Sequence, residues 1–273
     1  MLVGCADRRE TRQHGPVTWT DALIVAAAGV GAGIVNAMAG GGSMLTVALL
    51  TVFGDLPGLI ANGTNRVGIL VQNAASIAGF RREGVSGISR AVPVLLPVII
   101  GSLIGSLFVS GLADETFEKT FGFLMVPILL LSLRPPKVDP DRAGWSPTVS
   151  AIVFFGIGVY GGAFQAGVGL ILVLALARSG LDLVNANAVK VVVILALTAF
   201  AVPIFIVRDQ IDWGFAAILA SGFAVGGAVG ARVAVRGGDK VIRPVMVAAV
   251  IGLAGRMVYE FNGSACEGYT VSF

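Results

Sequence analysis

The chain has 273 residues, of which 56% are hydrophobic and only 13% charged, with 38 glycines and a net charge of +3. A soluble domain carries roughly 25% charged residues, so a soluble enzyme, a disordered chain and a nucleic-acid binder are excluded. A mean hydropathy of +0.89 leaves a polytopic helical membrane protein.

In chain order, residues 1–16 form a polar N-terminal tail that holds Cys5 and the single histidine, His14. Leu2-Val3-Gly4-Cys5 resembles a lipoprotein cleavage box, but no charged region and apolar run precede it. Residues 17–133 read as a first membrane unit. Its apolar segments are 17–53, interrupted at Gly40-Gly41-Gly42, then 61–80, 88–112 and 117–133. A polar, proline-bearing linker occupies 134–147. Residues 148–261 read as a second unit, with segments 148–176, interrupted around Gly167-Val168-Gly169, then 186–207, 213–235 and 241–261. Residues 262–273 are a C-terminal tail with Cys266 and a sequon-like Asn262-Gly263-Ser264. The acidic residues support these spans: none occurs between Asp21 and Asp55, Glu83 and Asp114, or Asp141 and Asp182. Each gap accommodates a crossing of about 20 residues.

The two units match. Residues 61–70 and 186–195 share Ala61/Ala186, Asn62/Asn187, Val67/Val192, Ile69/Ile194 and Leu70/Leu195. The same shift pairs Gly101 and Gly105 with Gly226 and Gly230, and Asp114 with Asp239. Two extra residues align Gly31, Gly40, Gly42 and Leu45 with Gly158, Gly167, Gly169 and Leu172. Each unit contains three clear spans plus a Gly-broken helical hairpin, an odd net number of crossings, so the halves lie in opposite orientations. The expected fold is all-α: two inverted-topology repeats with about 8–10 membrane segments. Basic residues set the orientation. Arg81, Arg82, Arg90, Arg134, Lys137, Arg142, Arg178, Arg232, Arg236, Lys240 and Arg243 fall on one side, which is taken as cytoplasmic, with both termini outside.

Three constellations bear on function. The first is Asn36-Ala37-Met38-Ala39-Gly40-Gly41-Gly42-Ser43, repeated as Gln165-Ala166-Gly167-Val168-Gly169. Glycine costs a helix roughly 1 kcal/mol relative to alanine, and backbone freed in lipid survives only inside protein or beside a cavity. A helix starting near Ser43 would aim unpaired N–H groups at the break, a seat for an anion; a surface turn or close packing is the plainer alternative. The second is Asn62-Gly63-Thr64-Asn65-Arg66, with Asn187 and Lys190 in the other half. Arg66 and Lys190 lie within spans that hold no acid. Such charges face a cavity or snorkel to the surface. The third is Gly101-x-x-x-Gly105 and its copy Gly226-x-x-x-Gly230, which permit close helix packing inside the chain or in a homodimer.

No Cys/His cluster supports a metal, no Walker motif supports ATP use, and one tail histidine cannot build a hydrolase triad. No cofactor is expected.

On its Ala39-Gly40-Gly41-Gly42-Ser43-Met44-Leu45-Thr46 and Ala61-Asn62-Gly63-Thr64-Asn65-Arg66 blocks, the chain resembles the sulfite exporter TauE/SafE family over about residues 20–260. The loops Phe80-Arg81-Arg82-Glu83-Gly84 and Arg208-Asp209-Gln210-Ile211-Asp212 are also similar to that family. Val168 between Gly167 and Gly169 departs from its triple-glycine form. The resemblance implies movement of sulfur-containing anions such as sulfite or organosulfonates across the cell (inner) membrane.

The expected function is therefore a secondary transporter, an exporter of such anions. Asn36, Gly40, Gly41, Gly42, Ser43, Asn62, Thr64, Asn65, Arg66, Gln165, Gly167, Gly169, Asn187 and Lys190 are the candidate binding residues. An anion channel and a non-transporting membrane scaffold are the alternatives. With a negative interior, expelling one negative charge gains about 2.3 kcal/mol per 100 mV, so export needs no coupling carboxylate.

Overall fold

The computed structural model describes residues 19–52, 54–132 and 145–267, and all their regular structure is helical. The N-terminal tail, residues 268–273, most of the linker and the cysteine side chains lie outside the described residues. The first half contains α1 (Trp19–Met38), α2 (Gly42–Val52), α3 (Gly58–Arg82), α4 (Ile88–Val109) and α5 (Asp114–Ser132). The second contains α6 (Pro147–Ala163), α7 (Val168–Arg178), α8 (Leu183–Val207) and α9 (Trp213–Glu267). Gly238 (φ 52°, ψ −151°) breaks α9 into two limbs.

The boundaries follow local chemistry. Pro57 precedes α3 and Pro147 opens α6, positions where a missing N–H removes no helical bond. Ser146 caps α6 by accepting the Val149 N–H. Asp182 caps α8 by accepting the Val184 and Asn185 N–H groups. Gly84 and Gly180 take positive φ just past α3 and α7.

The sequence suggests six clear spans. Among the described residues, three helices are long and apolar enough to cross a membrane: Ile88–Val109, Leu183–Val207 and Trp213–Gly238. Helix α3 has 25 residues, about 37 Å. Asn62, Asn65, Arg66, Gln72 and Asn73 lower its hydropathy, and all five are buried. Helix α5 opens with Asp114, Glu115, Glu118 and Lys119. Helices α2 and α7 have 11 residues each, about 16 Å, half the hydrocarbon thickness.

Helices cross between the halves, and glycine lets them do so. Gly29 and Gly33 on α1 meet Gly222 and Gly226 on α9. Gly101 and Gly105 on α4 meet Phe155 and Val159 on α6, while Gly158 and Gly162 return the contact on Val98 and Ser102. Both Gly-x-x-x-Gly pairs are thus used within the chain. In each pair sequence number rises together, so α1 runs parallel to the first limb of α9, and α4 parallel to α6. Helix α3 also runs parallel to that limb, with Gly68 on Phe223 and Gly79 on Ala231. Gly63 on α3 lies near Phe205 on α8, and Gly87, at the start of α4, lies near Ala188 on α8.

Candidate functional site

The two interruptions meet. A Cβ on Gly40 would lie 2.3 Å from the carbonyl carbon of Gly169, and one on Gly169 would lie 2.5 Å from the Gly40 Cα. No side chain fits between them. Gly40 has φ +86°, a left-handed value that suits glycine. Gly42 packs against the Ala32 carbonyl, so α2 folds back along α1. In the second half the interruption comes earlier than the glycines suggest. It spans Phe164 to Gly167, Gln165 takes φ 59° and Gly167 φ 74°, while Val168 and Gly169 already belong to α7. Gly169 is needed for its contact with Gly40, not for the turn.

Each interruption leaves one helix C-terminus and one N-terminus inside the protein. The C-termini are met by the two buried cations, each from the opposite half. Arg66 on α3 donates from Nη1 to the Gly161 carbonyl (3.1 Å) and Gln165 Oε1 (3.1 Å), and from Nη2 to Gly162 (2.6 Å) and Ala163 (2.9 Å). Its guanidinium lies 4.5 Å from the centre of the Phe205 ring. Lys190 on α8 donates from Nζ to the carbonyls of Asn36 (2.8 Å) and Ala37 (2.9 Å) and to Asn187 Oδ1 (2.6 Å). A cation at a helix C-terminus satisfies orphan carbonyls and opposes the helix dipole. Neither cation snorkels: both are fully buried, Arg66 eight residues into α3 and Lys190 seven into α8, about 10–12 Å of helix.

The other expected residues divide. Asn62 donates to the Ala163 carbonyl (3.0 Å) beside Arg66. Asn65 Oδ1 accepts from Thr46 (2.6 Å), whose hydroxyl sits over the Gly42 and Ser43 carbonyls in the first turn of α2. Asn36 donates to Gln72 (2.6 Å), and Asn187 to its own helix at Leu183 (2.8 Å). Gly41 and Ser43 are buried at the start of α2. Thr64 is turned elsewhere: its hydroxyl accepts the Asp212 N–H (2.9 Å) at the start of α9. Asn36, Ser43, Asn62, Asn65, Arg66, Gln165, Asn187 and Lys190 are each at most 3% exposed, so the centre is closed to solvent in this conformer.

Some polar atoms there have no partner. On successive turns of α3, Asn62 Oδ1, Asn65 Nδ2 and Arg66 Nε are buried and unbonded. Buried polar groups are nearly always satisfied, so these three atoms stand out beside the end of α6.

The family model for the sulfite exporter TauE/SafE matches residues 25–257. The chain belongs to this family. It is similar to a probable membrane transporter protein, ORF9, of Sinorhizobium sp, 27% identical over 84% of this chain and 89% of that protein. A probable membrane transporter protein of Haemophilus influenzae is 28% identical over 84% and 91%, and YfcA of Escherichia coli K12, also a probable membrane transporter protein, 25% identical over 85% and 87%. No solved structure matches. This TauE/SafE-family protein is accordingly a multi-pass inner-membrane transporter and not an enzyme.

Sequence reasoning missed several residues around the centre of this TauE/SafE-family protein. Thr46 links α2 to Asn65, and Thr198 approaches Gln165 Oε1 (3.4 Å). Tyr160 donates to the Ala166 carbonyl (2.5 Å) and leads the ring cluster Tyr160, Phe164, Phe117 and Phe121 beside the second interruption. A hydroxyl four residues after the last glycine of the first break was the one available signal for Thr46.

Proposed function

We propose that this protein is a secondary transporter that exports small sulfur-containing anions, sulfite or an organosulfonate, from a seat where the two glycine interruptions meet. The N-termini of α2 and α7 offer backbone N–H groups, Asn65 Nδ2 and Arg66 Nε offer side-chain donors, and Gly40 and Gly169 let the two interruptions pack backbone to backbone. Each helix end carries about half an elementary charge. The two C-terminal and two N-terminal ends therefore cancel, and Arg66 and Lys190 leave about +2 at the centre. Asn36, Asn62, Gln165 and Asn187 hold the two cations and the helix ends.

The halves are inverted repeats in this reading. What supports it is the pairing of α1 with the first limb of α9 and of α4 with α6, each parallel, together with the reciprocal capping of α6 by Arg66 and α1 by Lys190. The short α2 and α7 are then re-entrant limbs whose tips meet inside the bilayer. The basic end, where Glu83 meets Arg232 and Arg236 and Arg90 meets Asn185, faces the cytoplasm by the positive-inside rule. Both termini then lie outside.

The observation that carries the proposal is the backbone contact of Gly40 with Gly169 between two buried cations that, among the described residues, no carboxylate pairs with. The buried centre favours a carrier over a channel, because no continuous opening reaches it. The test is radiolabelled sulfite uptake into proteoliposomes under an imposed potential, with counterflow, for wild type and Asn65→Asp. Saturable, potential-driven flux that shows counterflow and collapses in Asn65→Asp is expected. Wild-type flux in that variant would move the seat elsewhere, and silence toward sulfite and a sulfonate panel would remove the transport reading.

A further inference from the structure

A second polar feature lies far from the glycine pair, where α3 and the first limb of α9 reach the basic end. Arg232 meets Glu83 through Nε at 3.3 Å, and Arg236 meets it through Nε at 3.0 Å and Nη2 at 3.3 Å. One carboxylate thus gathers two guanidinium groups. Arg82 stands next to them, so the cluster carries about two net positive charges. Beside it opens a cavity of about 290 Å³ lined by Gly79, Arg82, Glu83, Ala228, Val229 and Arg232. A Cβ on Gly79 would lie 3.0 Å from the Ala228 carbonyl, so small residues and backbone form its floor.

The surface below this cavity is apolar. Val225 and Val229 are 54% and 42% exposed. With Arg232 and Arg236 they follow i, i+4, i+7, i+11 spacing, one stripe on one helix face. Helix α3 carries a matching stripe of exposed residues, Val71, Ala78 and Arg82. An apolar track ends in a cationic cavity at the level where α3 leaves the membrane. A hydrated ion has no use for the track, and a hydrocarbon chain has none for the arginines. A phospholipid uses both.

We infer that the α3–α9 cavity binds an anionic phospholipid, its phosphate against Arg82, Arg232 and Arg236 and an acyl chain along Val229 and Val225. Basic pockets between membrane helices hold such headgroups. Glu83 is the positioning residue that holds the two α9 arginines together. The lipid bridges a helix of the first half to a helix of the second.

The test titrates purified protein in detergent with dihexanoyl phosphatidylglycerol, dihexanoyl phosphatidylcholine and inorganic phosphate, reading bound lipid by native mass spectrometry and thermal unfolding. Wild type should bind the phosphatidylglycerol at least tenfold more tightly than either alternative. Arg82→Gln and Arg232→Gln should each weaken it about fivefold, the equivalent of about 1 kcal/mol per arginine. Equal binding of the two lipids would overturn the inference. So would inorganic phosphate competing as well as the phosphatidylglycerol, which would make the cavity a free-anion site. The comparison of ligands on wild type stands even if a variant fails to fold.

Discussion

Replacing Arg66 by glutamine tests whether the guanidinium holds the end of α6. The four bonds it loses are not equal. The Gly161 carbonyl keeps the Gln165 N–H (3.2 Å), and the Ala163 carbonyl keeps Asn62 Nδ2 (3.0 Å). The Gly162 carbonyl lies in the last turn of α6 and loses its donor. An unpaired buried acceptor costs about 1–3 kcal/mol. Losing a buried cation from a helix C-terminus adds up to about 2 kcal/mol. Relief of guanidinium desolvation offsets part of this, which leaves a destabilisation of about 3 kcal/mol. Arg66→Lys keeps the charge and three donors, so it should lose only about 1 kcal/mol. Equilibrium unfolding in detergent measures both, with sulfite flux followed in parallel. Wild-type stability in Arg66→Gln, whatever happens to flux, would refute the capping argument.

Four further outcomes are expected. Lys190→Met leaves the Ala37 carbonyl without its donor and should destabilise by a similar amount, about 3 kcal/mol in the same unfolding assay. Gly40→Ala puts a Cβ 2.3 Å from Gly169 at a left-handed φ and should abolish flux, whereas Gly31→Ala, with nothing within 4 Å, should transport normally. For a carrier moving one net negative charge, the steady-state anion ratio should approach about 50-fold per 100 mV; a ratio independent of potential would require electroneutral coupling. Burial raises the Asp182 pKa, but hydrogen bonds from Asn185 and Val184 outweigh it and hold the carboxylate below its ordinary 3.8. The stabilisation from this cap is therefore present above the ordinary value and lost as pH falls through the folded one. Asp182→Ala should lower stability by about 1 kcal/mol at neutral pH and by nothing in strong acid.

The elements were legible because lipid excludes carboxylates and leaves long gaps between acids. The first interruption was legible from three glycines in a row. The second was displaced toward Phe164 because Gln165 adopts the positive φ that glycine usually supplies. Arg66 and Lys190 stood out as buried charges, yet their partners did not. Those partners are main-chain carbonyls of Gly161, Gly162, Asn36 and Ala37, and a carbonyl has no letter in a sequence. Thr64 shares its block and its burial with Asn62 and Asn65, yet its hydroxyl accepts the Asp212 N–H at the start of α9, a contact with no mark in the sequence. Helix α3 is long enough for a span but less apolar than α4 and α8, because its polar face is satisfied by tertiary contacts that hydropathy does not see.

The crossing of helices between halves has a consequence for biogenesis. Helix α1 has its most extensive contacts with α9, nearly two hundred residues later in the chain, and α4 with α6. At synthesis rates of about 5–20 residues per second, α1 waits roughly 10–40 s for that partner. During this delay its Gly29 and Gly33 face presents only backbone and small side chains to lipid, and insertion machinery or lipid must shield it. Separately synthesised halves should therefore be degraded when made alone and recovered when made together, since each half supplies the other's missing neighbours.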